Sequence, residues 1–168
     1  MVHDWNSLSE ATAGASAALM GLLFVAIQLN RERIEKYPRL KERALEALLI
    51  LMLPLLAAIL LAIPNQPPRL FGLELVILGA SHVLALARVG TLPVRIAPTR
   101  LERLLSIVNP GFSIGLLTIV SGALLLSGYA RGVYWLVAAI ITALIGGTIA
   151  AWIFLMVDPD ESSWRAKD

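Results

Sequence analysis

Polar and charged residues fall in clusters along this chain, and the intervals between the clusters are long and apolar. Five intervals, residues 8–30, 44–63, 70–89, 104–127 and 133–157, each come close to the about 20 residues that an α-helix needs to cross a hydrocarbon core. The pattern predicts an all-α, polytopic transmembrane bundle in a single domain. Several boundaries carry helix signals. Ser7-Leu8-Ser9-Glu10 and Thr99-Arg100-Leu101-Glu102 have the capping-box spacing that satisfies orphan amides at a helix start. The first span closes on Gln28, Asn30 and Arg31. The second carries Pro54 at its middle and stops at Pro64-Asn65-Gln66-Pro67-Pro68, where proline forbids helix continuation. The fourth contains Asn109-Pro110-Gly111, and the fifth ends at Asp158-Pro159.

Composition agrees with that pattern and narrows the chemistry. Of 168 residues, 58% are hydrophobic and 15% charged, and the mean hydropathy is +0.77. With most positions committed to spans, no room is left for a soluble catalytic domain. The absence of cysteine excludes disulfides, thiolate metal sites and a cysteine nucleophile, and two histidines are too few for most dedicated metal cages. The net charge of +2 is too small to point to nucleic acid. No metal or cofactor is expected.

The placement of the basic residues says more than their sum. Six of the 14 lie in residues 31–43, four in 88–103 and two in the tail, leaving Arg69 and Arg131 for the alternate loops. Basic residues are retained on the cytoplasmic side, so the N-terminus is expected outside and the C-terminus inside. Residues 1–10 carry two acids and no base, unlike a secretory signal, so the first span is expected to be retained. Trp5, Phe71, Tyr129, Tyr134 and Trp135 then form an aromatic belt at one surface, and Tyr37, Trp152, Phe154 and Trp164 at the other. Lys36, Arg39 and Lys41 belong to the cytoplasmic cluster, where they set topology and contact anionic headgroups or a soluble partner.

The run Glu10-Ala11-Thr12-Ala13-Gly14-Ala15-Ser16-Ala17-Ala18-Leu19-Met20-Gly21-Leu22-Leu23-Phe24-Val25-Ala26-Ile27, the exit Asn30-Arg31-Glu32-Arg33 and the following Arg43-Ala44-Leu45-Glu46-Ala47-Leu48 carry a family likeness. They resemble the opening of a group of small uncharacterised bacterial integral membrane proteins. The resemblance implies a bacterial inner membrane and brings no activity or functional residue with it.

Close approach in lipid needs small residues at helical spacing. Gly14 and Gly21 offer such a face in the first span, Gly111 and Gly115 in the fourth, and Ala139, Ala143 and Gly147 in the fifth. The second span, Leu-rich all round, is expected to face lipid. Such faces serve either the fold of one chain or a subunit interface, and the stripe of the fifth span is the first candidate for the latter.

An ionisable group at membrane depth costs about 2.5–3.5 kcal/mol, so each one needs a reason. Glu10 has one in its capping box, and Glu46 one in Arg43, three residues before it. Glu74, His82 and Asn109 remain. On a helical wheel Ser81 lies about 20° and His82 about 80° from Glu74, a broad polar face expected to point into the bundle. No phosphate loop, His-Glu-x-x-His or Gly-x-Ser-x-Gly is present, so no enzyme is expected. Two functions fit. One is a helix-packing subunit or oligomeric scaffold that assembles with itself or another membrane protein. The other is a homo-oligomeric channel or transporter for a proton, ion or small solute along Glu74, Ser81, His82 and Asn109.

The topology is checked with single cysteines in intact cells. An impermeant thiol reagent is expected to label cysteines at Val2 and Asn65 and to spare those at Lys36 and Lys167; labelling of either of the last two overturns the orientation.

Overall fold

The structure is a computed structural model that describes residues 5–36, 38–89 and 110–156. Its elements, all helical, are α1 (Asn6–Leu29), α2 (Arg31–Lys36), α3 (Pro38–Leu61), α4 (Pro68–Val89), α5 (Pro110–Leu126) and α6 (Val133–Met156), with a 3₁₀ turn at Ala130–Gly132 before α6. Among the described residues, the stretches Asn6–Leu29, Leu40–Leu61, Pro68–Val89 and Ala130–Trp152 are long and apolar enough to cross a membrane. Gly111–Leu126 is a shorter apolar helix; residues 104–109 of the expected fourth span, and the capping sequence at residues 99–102, lie outside the described residues.

Local chemistry sets the turns. Pro38 and Pro68 open α3 and α4, where a missing amide hydrogen costs nothing. The α3–α4 turn is held by Asn65 in the left-handed region, at φ 56°. After α5, Gly128 takes φ 87°. The Tyr129 amide then reaches the Leu124 carbonyl at 2.9 Å and the Gly128 amide reaches Leu125 at 3.1 Å, the paired closure that glycine permits at a helix end. The capping box expected at Ser7 does not form. Helix α1 starts at Asn6, so Ser7 already lies inside the first turn and no side chain caps it.

Helix α3 sits at the centre, against α1 on one side and α4 and α6 on others. Half of its apolar stretch is buried, 50% against 22–33% in the other candidate spans, so only one side of it, with Leu45, Met52 and Ile59, is left exposed, less than its Leu-rich sequence suggested. Ala44, Ala47, Ala57 and Ala58 are buried and let neighbouring helices close on it. Pro54, also fully buried, sits among them.

Among the described residues, the closest approach of backbone to backbone joins α4 to α5. A Cβ on Gly72 would stand 2.8 Å from the Gly122 carbonyl oxygen, one on Gly122 2.5 Å from that of Gly72, and one on Gly79 2.8 Å from that of Gly115. Gly72 and Gly79 were not among the expected packing residues. Gly111 closes on Leu86 and Ile50. The α6 stripe is equally occupied: Ala139 and Ala143 pack with Ile50, Leu53 and Ile114, and the Leu51 side chain fills the space over Gly147. That stripe is spent on the chain's own core and is closed to a subunit interface.

Helix α1 behaves differently. A Cβ on Gly14 or on Gly21 would meet nothing within 4 Å, so neither glycine takes part in packing within the chain. The buried face of α1 is instead Ser9, Thr12, Ser16, Leu23 and Ala26.

These contacts predict opposite outcomes for two alanine substitutions. Gly122→Ala presses a methyl group on backbone that cannot yield and is expected to cost about 1–3 kcal/mol, whereas Gly14→Ala is expected not to lower stability; denaturant titration in mixed micelles measures both.

Candidate functional site

The expected polar face of α4 does not hold together. His82 is buried at 6% exposure, and its Nε2 lies 3.1 Å from the Gly111 carbonyl oxygen on α5. A carbonyl only accepts, so Nε2 carries a hydrogen and donates. Gly115, one turn along α5, leaves room for the ring, since a Cβ there would stand 3.2 Å from His82 Cδ2. Ser81, the preceding residue, is about 100° round the helix; it is exposed and its hydroxyl donates back to the Leu78 carbonyl at 2.8 Å. Its expected inward orientation is therefore corrected. Glu74 is half-buried and accepts a hydrogen bond from the Gln66 amide in the α3–α4 turn. Eight residues separate it from His82, about 12 Å along the axis. Asn109 lies outside the described residues.

Other hydroxyls at membrane depth are tied within the chain. Ser9 donates to the Ala58 carbonyl at 2.8 Å, Thr118 to Ile114 at 2.8 Å and Ser121 to Gly132 at 2.9 Å. Ser16 is fully buried and its hydroxyl has no hydrogen-bond partner in the structure. Among the described residues no three His, Asp or Glu side chains gather as a metal site would require.

Open space is found at one end of the bundle. A cleft of about 450 Å³ opens where α1, α4 and α6 begin. Trp5, Gln66, Arg131 and Tyr134 line its walls, and its floor is Leu61, Phe71 and Leu125. The floor residues belong to the main core cluster, so the cleft ends on packed side chains. Phe71 is thus a core residue rather than part of the expected belt, whereas Tyr129, Tyr134 and Trp135 are exposed. The Trp5 and Tyr134 rings meet edge to face, with centroids 5.7 Å apart and planes at 79°.

Neither Gln66 nor Arg131 stands out in the sequence as a site residue. Gln66 lies in a proline-rich loop, where polar residues are ordinary, and Arg131 counts there only as a minority charge; an amide enclosed by three prolines is the sole signal. At the opposite end, Lys36 and Lys41 are exposed, and Arg31 pairs with Glu35 at 2.9 Å. Arg39 lies in the first turns of α3.

The two neighbours on α4 are expected to respond differently to truncation. His82→Ala removes a cross-helix hydrogen bond, about 0.6–1.7 kcal/mol in lipid, and leaves a void as well. Ser81→Ala is expected to change stability by less than about 0.5 kcal/mol. Unfolding titrations of both variants measure the contrast, and equal losses would contradict the assignment of His82 to the interior. No protein-family model, curated protein or solved structure matches this chain.

Proposed function

We propose that the protein is a helix-packing subunit of a bacterial inner membrane, with five spans, the N-terminus outside and the C-terminus inside, acting as a scaffold without catalysis. The observation that carries this reading is the division of labour between helices. Gly72, Gly79, Gly115, Gly122 and Gly147 on α4, α5 and α6 are spent on neighbouring helices, while α1 turns Gly14 and Gly21 outward with nothing against them. An apolar helix that keeps two glycines bare in lipid forgoes the side-chain packing that holds membrane helices together. The open face of α1 therefore receives a further helix, from a second copy of the chain or from another membrane protein.

The transport reading draws on Glu74, Ser81, His82 and Asn109. It is the weaker one, because Glu74 and His82 are two turns apart with buried Leu75 and Gly79 between them on α4, and Ser81 faces outward. The cleft beside Gln66 is the feature that favours it.

Mass spectrometry of the intact assembly, purified in mild detergent from native membranes, tests the first reading. An assembly heavier than one chain is expected, and Gly14→Leu with Gly21→Leu is expected to reduce it to the monomer with unchanged thermal stability. A lone wild-type chain would sink the proposal. In proteoliposomes, solute flux lost in His82→Ala and Glu74→Gln would favour transport instead.

A further inference from the structure

The cleft at the α1, α4 and α6 starts has a chemistry that the scaffold reading leaves unused. Its floor is apolar, formed by Leu61, Phe71 and Leu125, each less than a tenth exposed and part of the core cluster. Its rim is aromatic and cationic. Arg131 is exposed, and among the described residues its guanidinium makes no hydrogen bond or ion pair. A guanidinium at a headgroup-level surface, beside indole and phenol rings, is positioned to meet phosphate oxygens in two parallel hydrogen bonds.

The surrounding charges agree. Helices α4 and α6 begin at this rim with no acidic residue in their first turns, so their amide ends add to the positive field. The C-terminal turns of α3 and α5 reach the same end and oppose that field, so the net positive charge at the rim rests on the Arg131 guanidinium. Glu74 accepts from Gln66 and is not among the lining residues, so its carboxylate is engaged by the amide.

We infer that this cleft binds the headgroup of an anionic phospholipid, with the phosphate on Arg131, the glycerol region against Trp5 and Tyr134, and the start of the acyl chains over Leu61, Phe71 and Leu125. The volume of about 450 Å³ suits a headgroup and its glycerol. A free phosphate ion would leave most of the floor wet, whereas a lipid covers floor and rim together. The exposed Tyr129, Tyr134 and Trp135 at this end mark the level at which such headgroups lie.

The test uses the full chain, delipidated in detergent, titrated with phosphatidylglycerol and followed by native mass spectrometry. Arg131→Gln is expected to weaken binding about fivefold, the effect of one basic residue at a membrane surface. Arg131→Lys is expected to retain most of the affinity, and Arg69→Gln, an exposed base at the same end that does not line the cleft, all of it. Phosphatidylcholine, whose phosphate charge is offset by the choline ammonium, is expected to bind wild type more weakly than phosphatidylglycerol does. Thermal stability of each variant, expected to be unchanged, separates lost binding from lost fold. Four results would each overturn the assignment: Arg131→Gln binding like wild type, Arg69→Gln weakening binding as much, phosphatidylcholine binding as tightly as phosphatidylglycerol, or displacement of the lipid by millimolar inorganic phosphate, which would make the cleft a free-anion site.

Discussion

The backbone contact between α4 and α5 is the constraint on which the rest of the bundle depends. Gly72 faces Gly122 and Gly79 faces Gly115, so both helices carry glycine at seven-residue spacing and run antiparallel in one register. A seven-residue repeat keeps the glycines on one side through two turns, since seven residues fall only about 20° short of two full helical turns. In lipid there is no hydrophobic gain in joining two apolar helices; what holds them is dispersion between surfaces that fit, and backbone against backbone is the closest fit available. The same register carries His82 to Gly111 at the next step along the pair. A slip of one residue would replace glycine by Leu73 or Ala123 at the contact and lift the imidazole off its acceptor.

That constraint explains why some of the fold was legible in the sequence and some was not. The all-helical class, four apolar helices long enough to span and the α6 stripe of Ala139, Ala143 and Gly147 follow from spacing alone, and the stripe does pack. Its partner could not be read. The sequence shows a small-residue face but not the leucine that enters it, and only the placement of Leu51 turns that face inward. Burial of α3 was hidden for a different reason. In water the most apolar face is the buried one, but in lipid every face is apolar, so Leu-rich sequence does not separate the centre of the bundle from its rim. Alanines at 44, 47, 57 and 58 carried the information, diluted among leucines.

Polar residues were legible as exceptions but not as a constellation. A wheel placed Ser81 and His82 on one broad face because it treats angle alone. What decides their fate is the neighbour: α5 covers the His82 side of α4, and Ser81 lies beyond its edge and returns its hydroxyl to its own backbone. The deep hydroxyls behave similarly, with Thr118 bonded to its own helix and Ser9 and Ser121 reaching carbonyls elsewhere in the chain. Polarity consumed in this way stabilises one arrangement of helices and leaves little for a solute, because a group already donating to a buried carbonyl must break that bond before it can bind anything else. Ser16 is the exception: an orphan hydroxyl in an otherwise apolar seam costs stability, and nothing in the structure explains why it is there.

The position of the cleft follows from a gradient of side-chain size along the same helices. Towards the middle of the bundle the facing residues are small: Thr12 and Ser16 on α1, Gly79 and Gly115 on α4 and α5, Ala139 and Ala143 on α6. At the end where α1, α4 and α6 begin, they give way to Trp5, Phe71 and Tyr134. Helices α4 and α5 stay in backbone contact at this end through Gly72 and Gly122, and the cleft lies beside that contact, among rings too large to interdigitate as glycine does. Phe71 turns down into the core, Trp5 and Tyr134 brace against each other edge to face, and the space between them and the α5–α6 corner stays open. Close backbone packing and open space thus lie side by side at this end of the bundle, and Arg131, on the corner between α5 and α6, is the charge at the edge of the cleft.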